Sequence, residues 1–155
     1  MRTRLAGVVC AACAVAIAAC GGNAAPSPAS PSSLPVTPDT FVGAWTSANS
    51  SAAVPLAACS RFDYTVDKVN ERAVNLKVAA TCASLTIDAG GSGALTATGL
   101  NWAAQGTATG ASGAECSFSF TDSSATPLTD GTIRIDYKGR VCGVPVSGSE
   151  VVRKK

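Results

Sequence analysis

The chain predicts an all-β domain of about eight antiparallel strands, closed as a barrel or packed as a sandwich. Two observations carry that expectation. Apolar residues recur at every second position over several segments, which is the pattern of strands buried on one face. A Trp…Cys-Ser…Cys pattern also occurs twice, which doubles a four-strand unit. A third observation is negative: nothing beyond the first twenty residues sustains the 3.6-residue period of a helix.

Residues 1–19 form a separate element, read as a signal peptide. Arg2 and Arg4 precede an apolar run from Leu5 to Ala19. At about 15 residues the run is shorter than the roughly 20 needed for a permanent helical span. A basic start, a short apolar middle and a small-residue end are the parts of a secretory signal. The sequence Ile17-Ala18-Ala19-Cys20 resembles the bacterial lipobox, with Ile where Leu is usual. That resemblance implies cleavage before Cys20, a diacylglycerol thioether on its sulfur, and a membrane partner in the form of lipid. Cys10 and Cys13 have too little apolar sequence ahead of them for this role and leave with the signal. Gly21 after the cysteine, rather than Asp, implies outer-membrane sorting in a Gram-negative host.

Residues 20–39 then read as the lipidated cysteine and a Pro/Ser/Ala-rich linker. Five of the eight prolines fall here (Pro26, Pro28, Pro31, Pro35 and Pro38), with almost nothing to bury. The expectation is an extended tether, reaching on the order of 50–60 Å if mostly polyproline-like.

The domain is placed at 40–155, where all the aromatic residues lie. Phe62, Tyr64 and Val66 alternate with Asp63, Thr65 and Asp67. Val74, Leu76, Val78 and Ala80 form a second such face. Cys116, Phe118 and Phe120 form a third, and Ile133, Ile135 and Tyr137 a fourth. Gly, Ser, Asn and Asp clusters at 47–51, 88–93, 109–113 and 122–124 supply turns.

Trp45 precedes Cys59 by 14 positions and Trp102 precedes Cys116 by the same 14, an offset of 57 between units. Repeats at 41–97 and 98–155 follow. Four cysteines allow three pairings. A duplicated unit carries its own bridge, which selects Cys59–Cys82 and Cys116–Cys142, with a Cys₄ metal site as the disfavoured alternative. Phe41-Val42-Gly43-Ala44-Trp45 resembles the Gly-x-Trp opening strand of the calycins, the lipocalin and avidin group of small barrels. That resemblance implies a Trp45 plug at one barrel end with a basic residue of the last strand, Arg153, against it.

Composition excludes several functions. There is no histidine, which removes Ser-His-Asp and Cys-His catalysis and the commonest metal ligand. Outside the signal, ten Lys and Arg balance ten Asp and Glu, so no basic footprint for nucleic acid follows. The terminal Arg153-Lys154-Lys155 run reads as a frayed, solvated tail. Gly90-Gly91-Ser92-Gly93 lacks the Lys-Ser/Thr and the helix of a phosphate loop. Asp63 and Asp67 fall on the face opposite Phe62 and Tyr64, so a paired-carboxylate glycosidase is the least favoured reading. Arg134, Asp136 and Lys138 form a solvated stripe. Trp45 and Trp102 are the candidates for lining a ligand cavity, with simple core as the competing reading.

The functional expectation is a non-enzymatic, lipid-anchored module of the cell envelope. It has no cofactor, no metal and no catalytic residue, and its small-molecule or protein partner is unnamed. The alternative is a proteinaceous inhibitor of an extracytoplasmic hydrolase such as a lysozyme or a protease.

Overall fold

The computed structural model describes residues 29–32, 34–52 and 59–155. Cys20, the signal peptide and linker residues 21–28 lie outside the described residues. A 3₁₀ turn, η1 (Pro38–Thr40), leads into eight strands: β1 (Gly43–Ala52), β2 (Cys59–Asn70), β3 (Ala73–Cys82), β4 (Leu85–Leu95), β5 (Leu100–Gly110), β6 (Glu115–Pro127), β7 (Ile133–Val141) and β8 (Val144–Lys154). Each strand pairs antiparallel with its sequence neighbours, and β8 returns to β1, so the sheet closes as an up-and-down barrel. Of barrel and sandwich, it is the barrel.

Alternation does what the sequence predicts. Strand β3 has Val74, Leu76, Val78 and Ala80 buried, with exposed residues between them. Phe62, Tyr64 and Val66 on β2, Phe118 and Phe120 on β6, and Ile133, Ile135 and Tyr137 on β7 also face inward and are buried. All eight aromatic residues of the chain are in this core. Burying one such side chain contributes about 1.5–3 kcal/mol, so the inward set is the main source of stability.

The four-strand halves β1–β4 and β5–β8 each carry one bridge, Cys59–Cys82 and Cys116–Cys142. All four domain cysteines are consumed, which removes the Cys₄ metal alternative. The first bridge ties β2 to β3 and the second ties β6 to the β7–β8 turn, both at the end that holds the β3–β4, β5–β6 and β7–β8 turns. Cys142 and Gly143, with φ of 51° and 79°, make the two-residue β7–β8 turn, a conformation matched to the twist of a hairpin.

Closure also demands close approach between strands. A Cβ built on Gly139 would stand 1.8 Å from the Ser119 carbonyl oxygen, and one on Gly106 2.1 Å from that of Asp88. Glycine lets the backbones meet there.

The other end is closed by the first and last segments of the domain. Phe41 and Pro38 are buried, and the Trp45 indole donates to the Phe41 carbonyl at 2.7 Å. Lys154 Nζ lies 5.6 Å from the Trp45 ring centroid. Arg153, the residue expected there, is exposed and pairs through its backbone with Thr46. The reason is register: Lys154, not Arg153, stands opposite Trp45. The terminal run is likewise not a frayed tail. Strand β8 continues to Lys154, the Lys155 amide donates to Ala44, and Lys155 Nζ is 3.0 Å from Asp63.

Part of the segment read as linker lies on this end. The Thr129 amide donates to Ser30, the Ser32 amide donates to Pro127, and Pro31 bridges to Leu128. Val36 packs against the core.

The bridge of the second half closes a separation of 26 residues. Replacing Cys116 and Cys142 together by Ala should cost roughly 3 kcal/mol. Equilibrium denaturation should show this as a lower midpoint with an unchanged native far-ultraviolet spectrum.

Candidate functional site

Two features of the barrel interior bear on function: a small apolar cavity and a buried polar group. The cavity sits above the terminal plug and is lined by Phe41, Trp45, Tyr64, Leu100, Trp102 and Ile133 among others. Both tryptophans singled out in the sequence therefore reach one space. Its volume is about 30 Å³. One water-sized probe occupies about 10–15 Å³, whereas small-molecule sites run to roughly 300–1,000 Å³.

Aromatic rings take up the remaining room. Trp102 meets Tyr64 and Phe120 edge-on at centroid distances of 6.1 and 5.5 Å. Phe120 in turn lies 4.6 Å from both Phe118 and Tyr137. The three edge-to-face pairs among these add about 0.5–1.5 kcal/mol each beyond burial. The interior is thus a packed core, and the two tryptophans belong to it.

Glu150 is the buried polar group. It projects inward from β8 and is 1% exposed. The Tyr64 hydroxyl, from β2, donates to one carboxyl oxygen. The Ser47 hydroxyl, from β1, donates to the other at 2.5 Å, and Ser47 Oγ itself accepts from the Phe62 amide at 2.9 Å. Burial pushes the Glu150 carboxyl above its ordinary value, outweighing the two donors, which favour the charged form. Burial and the neighbouring carboxylate together push the Tyr64 phenol well above its ordinary value, so it stays protonated as a donor.

Sequence reasoning missed Glu150. The available signal was Val146, Gly148, Glu150 and Val152 at every second position, which puts Glu150 in phase with two inward valines. In the first half the matching inward position of β4 is Gly91, opposite Leu76 as Glu150 is opposite Ile135.

The outward carboxylates behave differently. Asp63 pairs with Arg61 at 3.1 Å and with Lys155 at 3.0 Å. Burial alone would raise its carboxyl. Hydrogen bonds from Thr46 and Lys155, and the charges of Lys155 and Arg61, hold it below the ordinary range. Asp67 is exposed on the same outer face. Arg134 and Asp136 form an ion pair at 3.0 Å on the expected stripe. No cluster of three or more metal-ligating side chains occurs among the described residues.

Comparison with protein-family models, with curated proteins and with solved structures finds no match to this chain.

Removing one donor from the buried carboxyl tests the network. Tyr64→Phe leaves a Glu150 oxygen without its partner and should cost about 1–3 kcal/mol at neutral pH, read by chemical denaturation. An unchanged midpoint would mean that the Tyr64 hydroxyl contributes nothing there.

Proposed function

We propose that the protein is a lipid-anchored, extracytoplasmic module that works without catalysis, through contacts made by the outside of its barrel. The observation that carries the reading is the filled interior, whose cavity of about 30 Å³ is far below what a small organic ligand occupies. The outer wall, the turns and the terminal plug are then the surfaces left for recognition. They carry many Ser, Thr and Gly residues, and among the described residues the exposed large apolar side chains are Leu34, Val69 and Val144. A contact made there is largely polar.

The anchoring rests on the lipobox-like Ile17-Ala18-Ala19-Cys20 and is supported by the pairing of all four domain cysteines, which suits an oxidising compartment. The tether is shorter than its composition suggests, because Ser30 is already hydrogen-bonded to the β6–β7 turn. The ten residues from Cys20 to Ser30 span at most about 35 Å. The domain therefore stays near the membrane surface, with its terminal end facing the lipid. Partners in this reading are membrane lipid, through acylated Cys20, and another macromolecule of the envelope.

Metabolic labelling with a fatty acid carrying a click handle tests the anchor. Wild-type protein made in a bacterial host should be labelled and begin at Cys20. The Cys20→Ser chain should be unlabelled and should keep residues 1–19. An unlabelled, secreted wild-type protein would overturn the anchor.

A further inference from the structure

Of the large apolar side chains exposed among the described residues, Leu34 and Val69 lie at the terminal end of the barrel and Val144 at the disulfide end. Leu34 is 75% exposed and Val69 54%. Neither sits on a loose segment. Ser32, two residues before Leu34, donates its amide to Pro127, and Val36, two residues after, packs against the core. The Leu34 amide donates to the Ser32 hydroxyl oxygen at 3.2 Å. The chain is thus fixed on both sides of Leu34 while its side chain stays in solvent.

Val69 is turned outward by the sheet itself. Pairing of β2 with β3 steps from Lys68↔Val74 to Asn70↔Ala73, so Val69 has no residue opposite it. An extra residue of this kind makes a β-bulge, which re-aims its side chain. The 3₁₀ turn η1 links the two positions. It begins four residues after Leu34, and its Asp39 reaches Lys68, the neighbour of Val69, at 3.5 Å. Two apolar side chains therefore flank one turn at one end.

The chain toward Cys20 enters at this same end, where Ser30 accepts from the Thr129 amide of the β6–β7 turn. Charge there is close to balanced. Lys68 is paired with Asp39 and Glu71, and Lys155 with Asp63. Outside ion pairs among the described residues, Arg72, Arg153 and Lys154 stand against Asp67 and Asp130. A layer of phospholipid headgroups meets no net negative charge on this end.

We propose that the terminal end is a bilayer-docking face, on which Leu34 and Val69 enter the headgroup boundary and hold the barrel upright. The docking rests on the lipid anchor proposed above and adds to it a contact made by the folded domain. Two aliphatic side chains bury too little area to hold a free domain on a bilayer, since such binding scales with apolar area. An acylated Cys20 makes the contact intramolecular, at an effective concentration set by the short tether. Weak apolar contacts then suffice to select an orientation. The upright barrel turns the disulfide end, with Val144, away from the lipid. That end and the wall are left for a macromolecular partner.

Methyl NMR of the mature chain made in a bacterial host tests the docking, in nanodiscs of phosphatidylcholine and phosphatidylglycerol with Leu and Val methyl groups labelled. A gadolinium-chelating lipid relaxes nuclei close to the headgroups. About 25 Å of barrel separates the two ends, so relaxation of the Leu34 and Val69 methyls should exceed that of Val144 by at least about tenfold. Equal relaxation at the two ends, or more at Val144, would overturn the docking and leave Leu34 and Val69 to a protein partner.

Leu34→Ser combined with Val69→Thr removes apolar area from two exposed positions and should leave the fold intact. Leu95, whose amide donates to the Arg72 carbonyl at the terminal end, then serves as reporter. Its excess relaxation over Val144 should fall at least about threefold in the double variant, as apolar contact with the bilayer is lost. An undiminished excess would mean that the tether alone orients the barrel, and would overturn the proposal. The mass of the same sample reads the anchor separately. An acylated chain beginning at Cys20 whose barrel shows no preferred end sinks the docking and leaves the anchor standing. A chain without acyl groups overturns the anchor, and the docking with it.

Discussion

Closure of the sheet is the constraint on which everything else in this domain depends. Eight strands pair only with their sequence neighbours, so the last must meet the first or both edges stay open. A barrel of that strand number has an interior just wide enough for its own inward side chains. One residue in two along every strand must then be chosen for volume. Phe62 and Phe118 fill the disulfide end, Phe120 and Tyr137 the middle, the two tryptophans and Phe41 the terminal end, and Gly106 and Gly139 let strands press together. The terminal plug follows from the same demand: Phe41, Trp45 and Lys154 lie where the first and last strands join.

The two ends of the barrel are secured by different means. At the terminal end, backbone pairs bind the chain's entrance and exit together, down to the Lys155 amide on Ala44. At the other end, covalent bridges hold β2 to β3 and β6 to the β7–β8 turn. Within the wall, the Glu150 carboxyl of β8 is tied to Ser47 of β1 and Tyr64 of β2.

Much of this was legible in the sequence, and the physical reason differs by strand. Strands β2, β3, β6 and β7 announce themselves because large apolar residues alternate with charged or hydroxyl ones. Strands β4, β5 and β8 do not: Leu85–Leu95, Leu100–Gly110 and Val144–Lys154 mix Gly, Ala, Ser and Thr on both faces, so their contrast is low. The recurring Trp and Cys spacing supplied them, by requiring a second four-strand unit and one bridge in each. Glu150 was hidden because a carboxylate ordinarily marks the outer face, and only the phase set by Val146 and Val152 puts it inside. The fate of Arg153 and Lys154 follows from the same phase: two residues past Val152, Lys154 falls on the face of Trp45 and Arg153 on the outer one. Pro31 and Val36 read as tether because the pairing that holds Pro31, with the β6–β7 turn, is non-local.

The central claim is that the inside of this barrel is a core and its outside the working surface. Native mass spectrometry of the protein taken gently from membranes of its own host tests it most directly. The account predicts a mass made up of the chain from Cys20, its acyl groups and two disulfides, with nothing further retained after the detergent is stripped. A stoichiometric additional mass of small-molecule size, lost only when the domain unfolds, would contradict it.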